Sequence, residues 1–343
     1  MADPRFYDRL GPLTIEEIAA LSGAAISDSG SGDIAIEQVA PIGEAAPGFL
    51  SYLERADILE GVDVSAFAGA TILTTGEAAS RLSGQGVAVL VHERPRAAFA
   101  RAAAGLARPR TMAGRDAISP EARIAPDAEI GPGVVIGADV EIAQDVRIGA
   151  NAVIAPGCRI GRGTRIGARA SLACCDIGAD CNILAGAVIG EAGFGVAISS
   201  DGTVDVPHLG SVMISDRVTI GANSCVDRGV FGATRIGAGS KIDNLCHVAH
   251  NVEIGENCMF AAYAGISGST RIGDNVVFGG RVGVGDHFTI GNNVQVAGNS
   301  AVLSDLEGNA SYGGAPAQPL RKYFREIAAI RRMAQGPAKK KKD

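Results

Sequence analysis

From Ile124 onward an aliphatic residue recurs at every sixth position: Ile130, Ile136, Ile142, Ile148, Ile154, Ile160, Ile166 and Leu172. Gly or Ala usually follows it. After a one-residue slip come Ile177, Ile183 and Ile189, and the register breaks over a polar stretch, 190–213. It returns at Ile214, Ile220 and Val226, takes in four extra residues around Phe231, and then runs unbroken from Ile236 to Val302. Neither an α-helix nor an alternating strand repeats every six residues over such a distance. A short fixed period predicts a β-solenoid in which each hexapeptide gives a short strand with one large inward residue. A turn rich in Gly, Asn and Asp then follows. Strands of successive coils stack at about 4.8 Å, so each coil buries its neighbour's backbone groups and apolar face. The residue two before each aliphatic also faces inward and should be small. Cys158, Cys175, Cys181, Cys246 and Cys258 occupy that position, which assigns five of the seven cysteines to packing.

The flanks follow other patterns. Before about Arg110 the sequence reads as a small α/β domain (residues 1–110). Thr14-Ile15-Glu16-Glu17 forms a capping box that opens a helix through Leu21. Apolar runs at 70–73 and 87–91 predict strands, and the Ala-rich 95–104 predicts a helix. The solenoid is assigned to 111–315. Beyond it, 320–333 has helical spacing with Arg and Lys on the exposed face, giving a C-terminal helix at 316–336. A basic tail, 337–343, is expected to be disordered.

Composition narrows the class. The 343 residues include 47 Gly, too irregularly placed for collagen, and 47% are hydrophobic against 20% charged, which argues against disorder. No apolar run is long enough to span a membrane, and the first residues lack the apolar core of a signal peptide, so a cytoplasmic protein is expected. The net charge of −6 hides an asymmetry. From Pro319 to the end, nine Lys or Arg stand against Glu326 and Asp343, so the body is acidic and the tail basic. This argues against general nucleic-acid binding and points to a local acidic partner, although a merely solvated tail ending in Lys339–Lys342 fits those last residues equally. No cysteine pair has the spacing of a zinc finger or thioredoxin motif.

Five histidines are the candidates for chemistry: His92, His208, His247, His250 and His287. His250 lies two residues after the inward Val248, at a turn and facing outward, and Gly268 lies 18 residues later on the same corner. An imidazole beside an exposed glycine amide suits acyl transfer, the ring taking a proton and the amide holding the oxyanion. His287 falls two coils and one residue after His250. Solvated turn histidines remain the competing reading.

The chain resembles the UDP-3-O-acylglucosamine N-acyltransferase family of bacterial lipid A synthesis. The resemblance covers the N-terminal α/β domain, the repeats and the C-terminal helix. It is carried by Gly193-Phe194-Gly195, Asp227-Arg228-Gly229, Ile242-Asp243-Asn244, Ala249-His250-Asn251, Gly279-Gly280 and Gly285-Asp286-His287. It implies a left-handed parallel β-helix and a homotrimer with sites between adjacent prisms. His250 would deprotonate the sugar's 2-amine. That amine would attack a 3-hydroxyacyl thioester carried on the phosphopantetheine of acyl carrier protein. The Gly268 amide would hold the oxyanion, and His287 would polarise the donor or contact substrate. Asp243, Asn244 and Phe194 would lie beside the UDP-sugar, although capping of turns is an equal alternative for Asp243 and Asn244. No metal or organic cofactor is implied, because the thioester arrives activated.

Several positions depart from the family's pattern. Leu50-Ser51-Tyr52-Leu53 matches the uracil-binding strand, where Tyr52 could stack on the base. Arg55 and Ile58 then stand in place of the usual Asn and Tyr, and Ala192 replaces an Asp. Small residues from Ala297 through Gly298 to Ala301 occupy a region where bulky Met can close the acyl groove, implying tolerance of long chains. Arg321, Lys322 and Arg325, with Arg331 and Arg332, would dock acidic acyl carrier protein. An O-acyltransferase acting on UDP-N-acetylglucosamine lacks this N-terminal domain. A hexapeptide zinc enzyme would need His247, His250 and His287 in one shell, yet His247 lies on a different part of the turn. A non-enzymatic scaffold would not break register at 190–213 and Phe231.

Overall fold

The structure, a computed structural model, describes residues 2–30, 34–112, 116–314 and 317–334; the tail at 337–343 lies outside them. The hexapeptide period becomes three parallel sheets of nine, ten and nine strands among the described residues. The first begins at Arg123–Ile124, the second at Glu129–Ile130 and the third at Val135–Ile136, so successive hexapeptides visit the sheets in turn. Val135 pairs with Val153, 18 residues on, and Gly265 with Gly283 in the same register. The slip near Leu172 shortens one repeat, so that Ile160 pairs with Ile177.

The periodic residues face inward as expected, Ile136, Ile154, Leu172, Val226, Val248 and Ile266 all being buried. Phe260 and Phe278 take two of these positions one coil apart, with rings stacked at 4.5 Å. All five cysteines assigned to packing are buried. The corner after each strand needs a left-handed residue, supplied by Asn151, Asn223, Asn251 and Asn257 among others, each at a φ near +55°. Asn tolerates this conformation because its short side chain hydrogen-bonds locally.

Among its described residues the N-terminal domain holds a five-stranded sheet and three α-helices: α1 (Ile15–Ser22), α2 (Gly76–Leu82) and α3 (Pro95–Ala103). The Thr14 capping box is formed with Glu17, and the two expected strands are Thr71–Thr74 and Ala88–Val91. The polar stretch that breaks the repeat is an ordered insertion: an overlong strand Val188–Ala192, then a hairpin of Val196–Ser199 with Gly202–Asp205. α3 is wedged between its own domain and that hairpin, packing Ala97 and Ala100 on Ala197 and Val206. Arg94 and Arg101 bond Ser199, and Tyr7 Oη donates to the Gly210 carbonyl at 2.6 Å. Phe99 meets Phe231 edge-on at 5.7 Å, so the four extra residues also face the domain. The two irregularities are therefore where the domain grips the solenoid. α4 (Leu320–Ala334) follows the solenoid and buries none of its residues.

Candidate active site

The third sheet places the chemistry. Strand His247–Val248 ends at a corner where His250 turns outward and is partly buried. The Ser269 N–H donates to the His250 carbonyl and the His287 N–H to the Gly268 carbonyl, each at 3.0 Å, which clamps three successive corners together. A methyl group on Gly268 would lie 2.6 Å from His250 Cε1 and 2.8 Å from Nε2, so only glycine lets the ring lie across that corner. The Gly268 N–H donates no hydrogen bond among the described residues.

Asn251 sets the His250 tautomer. Its Nδ2 donates to the Phe231 carbonyl at 2.5 Å, while the Val230 N–H donates to its Oδ1 at 2.9 Å. That Oδ1 also faces His250 Nδ1 at 3.3 Å. An amide oxygen only accepts, so Nδ1 carries the proton and Nε2 keeps its lone pair. Burial lowers the pKa of His250, a hydrogen bond to Asn251 opposes this, and the Arg96 and His287 charges lower it further. The ring is thus held neutral with its basic nitrogen free, as a general base requires.

His250, Gly268 and His287 line one cavity of about 650 Å³ with Phe194, Asp227 and Ala301. Its floor is the outer face of the third sheet, where His247, Gly265, Gly283 and Ala301 lie one above another. Phe194 stands at its edge, 90% exposed. Gly298 is not part of this wall; it packs against Gly280 at the preceding corner. Asp243 and Asn244 line a separate cavity of about 440 Å³ with Lys241 and Met259. There Asn244 Oδ1 accepts from the Ala222 N–H at 2.6 Å and Asp243 Oδ1 from the Asn244 N–H at 2.7 Å. Tyr52 lies in the N-terminal domain, its ring 4.9 Å from Phe99. Arg55 pairs with Asp57, and Ile58 is about half exposed. Arg321, Lys322 and Arg325 are exposed on α4, where Lys322 meets Glu326 at 3.7 Å.

Sequence reasoning gave no role to Asn251, Asp227 or His208. His208 is 2% exposed, lies edge-on to His250 with ring centres 5.1 Å apart, and is held neutral by burial, its pKa down to about 4. Its place inside the register break hid it, because no period predicts which residues an insertion turns inward. Among the described residues no group of three or more His, Cys, Asp or Glu is placed to hold a metal ion.

Residues 139–174 and 233–268 match the family of the bacterial transferase hexapeptide (six repeats), and 269–304 match the hexapeptide repeat of succinyl-transferase. Over 335 residues the chain is 62% identical to UDP-3-O-acylglucosamine N-acyltransferase of Maricaulis maris (strain MCS10), covering 98% of this chain and 97% of that protein. It is 52% identical over 342 residues to the protein of the same name from Caulobacter vibrioides (strain NA1000 / CB15N), covering 98% of each. Among solved structures, LpxA from Acinetobacter baumannii superposes with a TM-score of 0.47 at 25% identity, over 62% of this chain and 78% of that one.

Proposed function

The chain belongs to the UDP-3-O-acylglucosamine N-acyltransferase family, and from that premise we propose that it moves a 3-hydroxyacyl group from acyl carrier protein to the 2-amine of UDP-3-O-acylglucosamine. His250 is the general base. Its Nε2 lone pair, freed by the Nδ1 contact to Asn251 and facing the cavity beside the unbonded Gly268 N–H, is the observation that carries this reading. The amine nitrogen attacks the thioester carbon, and Nε2 takes the proton released as the C–N bond forms. The Gly268 N–H stabilises the oxyanion. When the C–S bond breaks, the same proton passes to the departing thiolate. His287, at the next corner, contacts the donor.

The acyl chain lies along the third sheet over Gly265, Gly283 and Ala301. Arg321, Lys322 and Arg325 steer the acidic carrier. Asp243, Asn244 and Tyr52 contact the UDP-sugar across the interface of a homotrimer, where a neighbouring copy brings its cavity against this one. The reaction needs no metal or organic cofactor, and the enzyme works in the cytoplasm. An O-acyltransferase reading gains nothing from the N-terminal domain, which α3 ties to the insertion beside the base.

The test is acyl transfer from 3-hydroxyacyl carrier protein to UDP-3-O-acylglucosamine by wild type and His250→Ala. A fall of about 10²-fold or more in turnover is expected. Unchanged turnover would remove His250 from the role, and no transfer by wild type would defeat the substrate assignment.

A further inference from the structure

Asp227 is a buried carboxylate that the reading above leaves without work. It is 7% exposed, and its one ion-pair partner among the described residues is His247, whose Nε2 stands 3.4 Å away. No backbone N–H donates to it among the described residues. Burial pushes its pKa up to about 6, with the His247 and Arg228 charges opposing and Glu191 adding to the rise. A largely buried carboxylate this poorly partnered, opening on a cavity, is best completed by a cation.

The carboxylate lines the catalytic cavity. A methyl on Gly193 would lie 2.9 Å from Asp227 Oδ2, 3.1 Å from His208 Nε2 and 3.2 Å from His250 Cδ2, so all three groups pack against the same side of Gly193. His208 Nδ1–H donates to the Val206 carbonyl at 3.0 Å, which leaves Nε2 as a lone pair. That Nε2 is buried with no partner among the described residues. His250 Nε2, between the Cδ2 facing Gly193 and the Cε1 facing Gly268, is a further acceptor. The Asp227 carboxylate and the His250 lone pair thus share one wall of the cavity, with His208 buried behind them against a neighbouring cavity.

That arrangement wants a cation rich in N–H groups. We propose that Asp227 receives the ammonium form of the acceptor sugar's amine, holds it against His250 and takes its first proton. This rests on the acyltransferase reading and deepens it. An ammonium nitrogen must lose two protons to become an amide, and one base accounts for only one of them. The first leaves to the Asp227 carboxylate and on to solvent through the half-exposed His247. The neutral amine then attacks, the second proton goes to His250 as the C–N bond forms, and His250 returns it to the thiolate as the C–S bond breaks. One proton ends in solvent and one on the thiol.

The experiment is calorimetric binding without acyl donor, comparing UDP-3-O-acylglucosamine with its counterpart carrying a 2-hydroxyl in place of the amine. Wild type should bind the amine about tenfold more tightly, the scale of one charge-assisted contact. Asp227→Asn should lose that preference while binding the hydroxyl counterpart as wild type does. In wild type alone the preference should also shrink below about pH 6, as the carboxyl protonates with His247, Glu191, Arg228, His208 and His250 around it. Equal affinities in wild type, or a preference kept in Asp227→Asn, would overturn the proposal. If the variant does not fold, the wild-type pH series decides. Because nothing turns over, failure here leaves the acyltransferase reading standing, and failed acyl transfer leaves this measurement readable.

Discussion

The outside of the third sheet changes character halfway along the solenoid. Its first four strands present Val135, Val153, Ser171 and Val188, whereas its last four present His247, Gly265, Gly283 and Ala301. At the corner that follows, the first half carries Ala138, Pro156 and Cys174, and the second carries His250, Gly268 and Asp286. Inward residues and backbone pairing are alike in both halves. The first half is gripped by the N-terminal domain, through Arg5 to Asp176 and Arg110 to Asp139, with Gly157 packed under the Arg5 carbonyl. The second half is open. A solenoid's period is written in its inward positions, so its outward positions are free to be covered in one half and to do chemistry in the other.

The sharpest way to break that contrast is to give the active corner a side chain that the other half tolerates. Ala138 sits in the first half at the position Gly268 holds in the second. Gly268→Ala would put a methyl 2.6 Å from His250 Cε1, displacing the ring from the Gly268 N–H. Turnover should fall by about 10²- to 10³-fold, the scale of losing an oxyanion donor, while circular dichroism and melting stay near wild type. Activity within a few-fold of wild type would mean that the His250 and Gly268 pairing is not the reacting centre.

A second contrast lies in titration. The insertion buries His208 as a neutral ring with a pKa of about 4, below the ordinary value of about 6.5. A depressed imidazole pKa contributes stability that is present above pH about 6.5 and lost as pH falls through about 4. The loss amounts to about 3 kcal/mol when complete. Denaturant titrations at pH 7.5 and 4.5 should show most of that difference in wild type and little of it in His208→Gln. Hydrogen exchange at the lower pH should loosen residues 190–231 before the regular coils. Uniform loosening would place the acid sensitivity elsewhere.

These differences explain what could be read from the chain alone. The solenoid was legible because every sixth residue must fill the same inward site, and His250 and Gly268 were legible because an 18-residue coil fixes which corners are neighbours. The insertion was legible only as a loss of register. Nothing periodic required that His208 turn inward, that Asn251 set a tautomer, or that Asp227 face His247, because those contacts join segments across breaks in the repeat. Ala301 lines the cavity and Gly298 does not, since the strand's outward residue faces the cavity and the corner residue before it packs on Gly280. Asp243 and Asn244 share a coil with His250 but sit one corner earlier, against a different cavity.

The smallest expected effect tests the groove itself. A Cβ built on Gly283 meets nothing within 4 Å, so valine fits there as Val135 and Val153 do in the first half. Gly283→Val therefore makes the second half resemble the first without straining the fold, and a β-branched residue in a strand should hold or slightly raise the melting temperature. What changes is the volume beside His250. A pocket contact of one or a few methylenes is worth about 1–3 kcal/mol in discrimination. The ratio of kcat/KM for long over short 3-hydroxyacyl carrier proteins should consequently fall by about tenfold in the variant. Equal slowing of every chain length would mean that the acyl chain does not run along Gly265, Gly283 and Ala301. The open half would then serve the carrier arm rather than the chain, and the small residues would mark clearance for a different part of the donor.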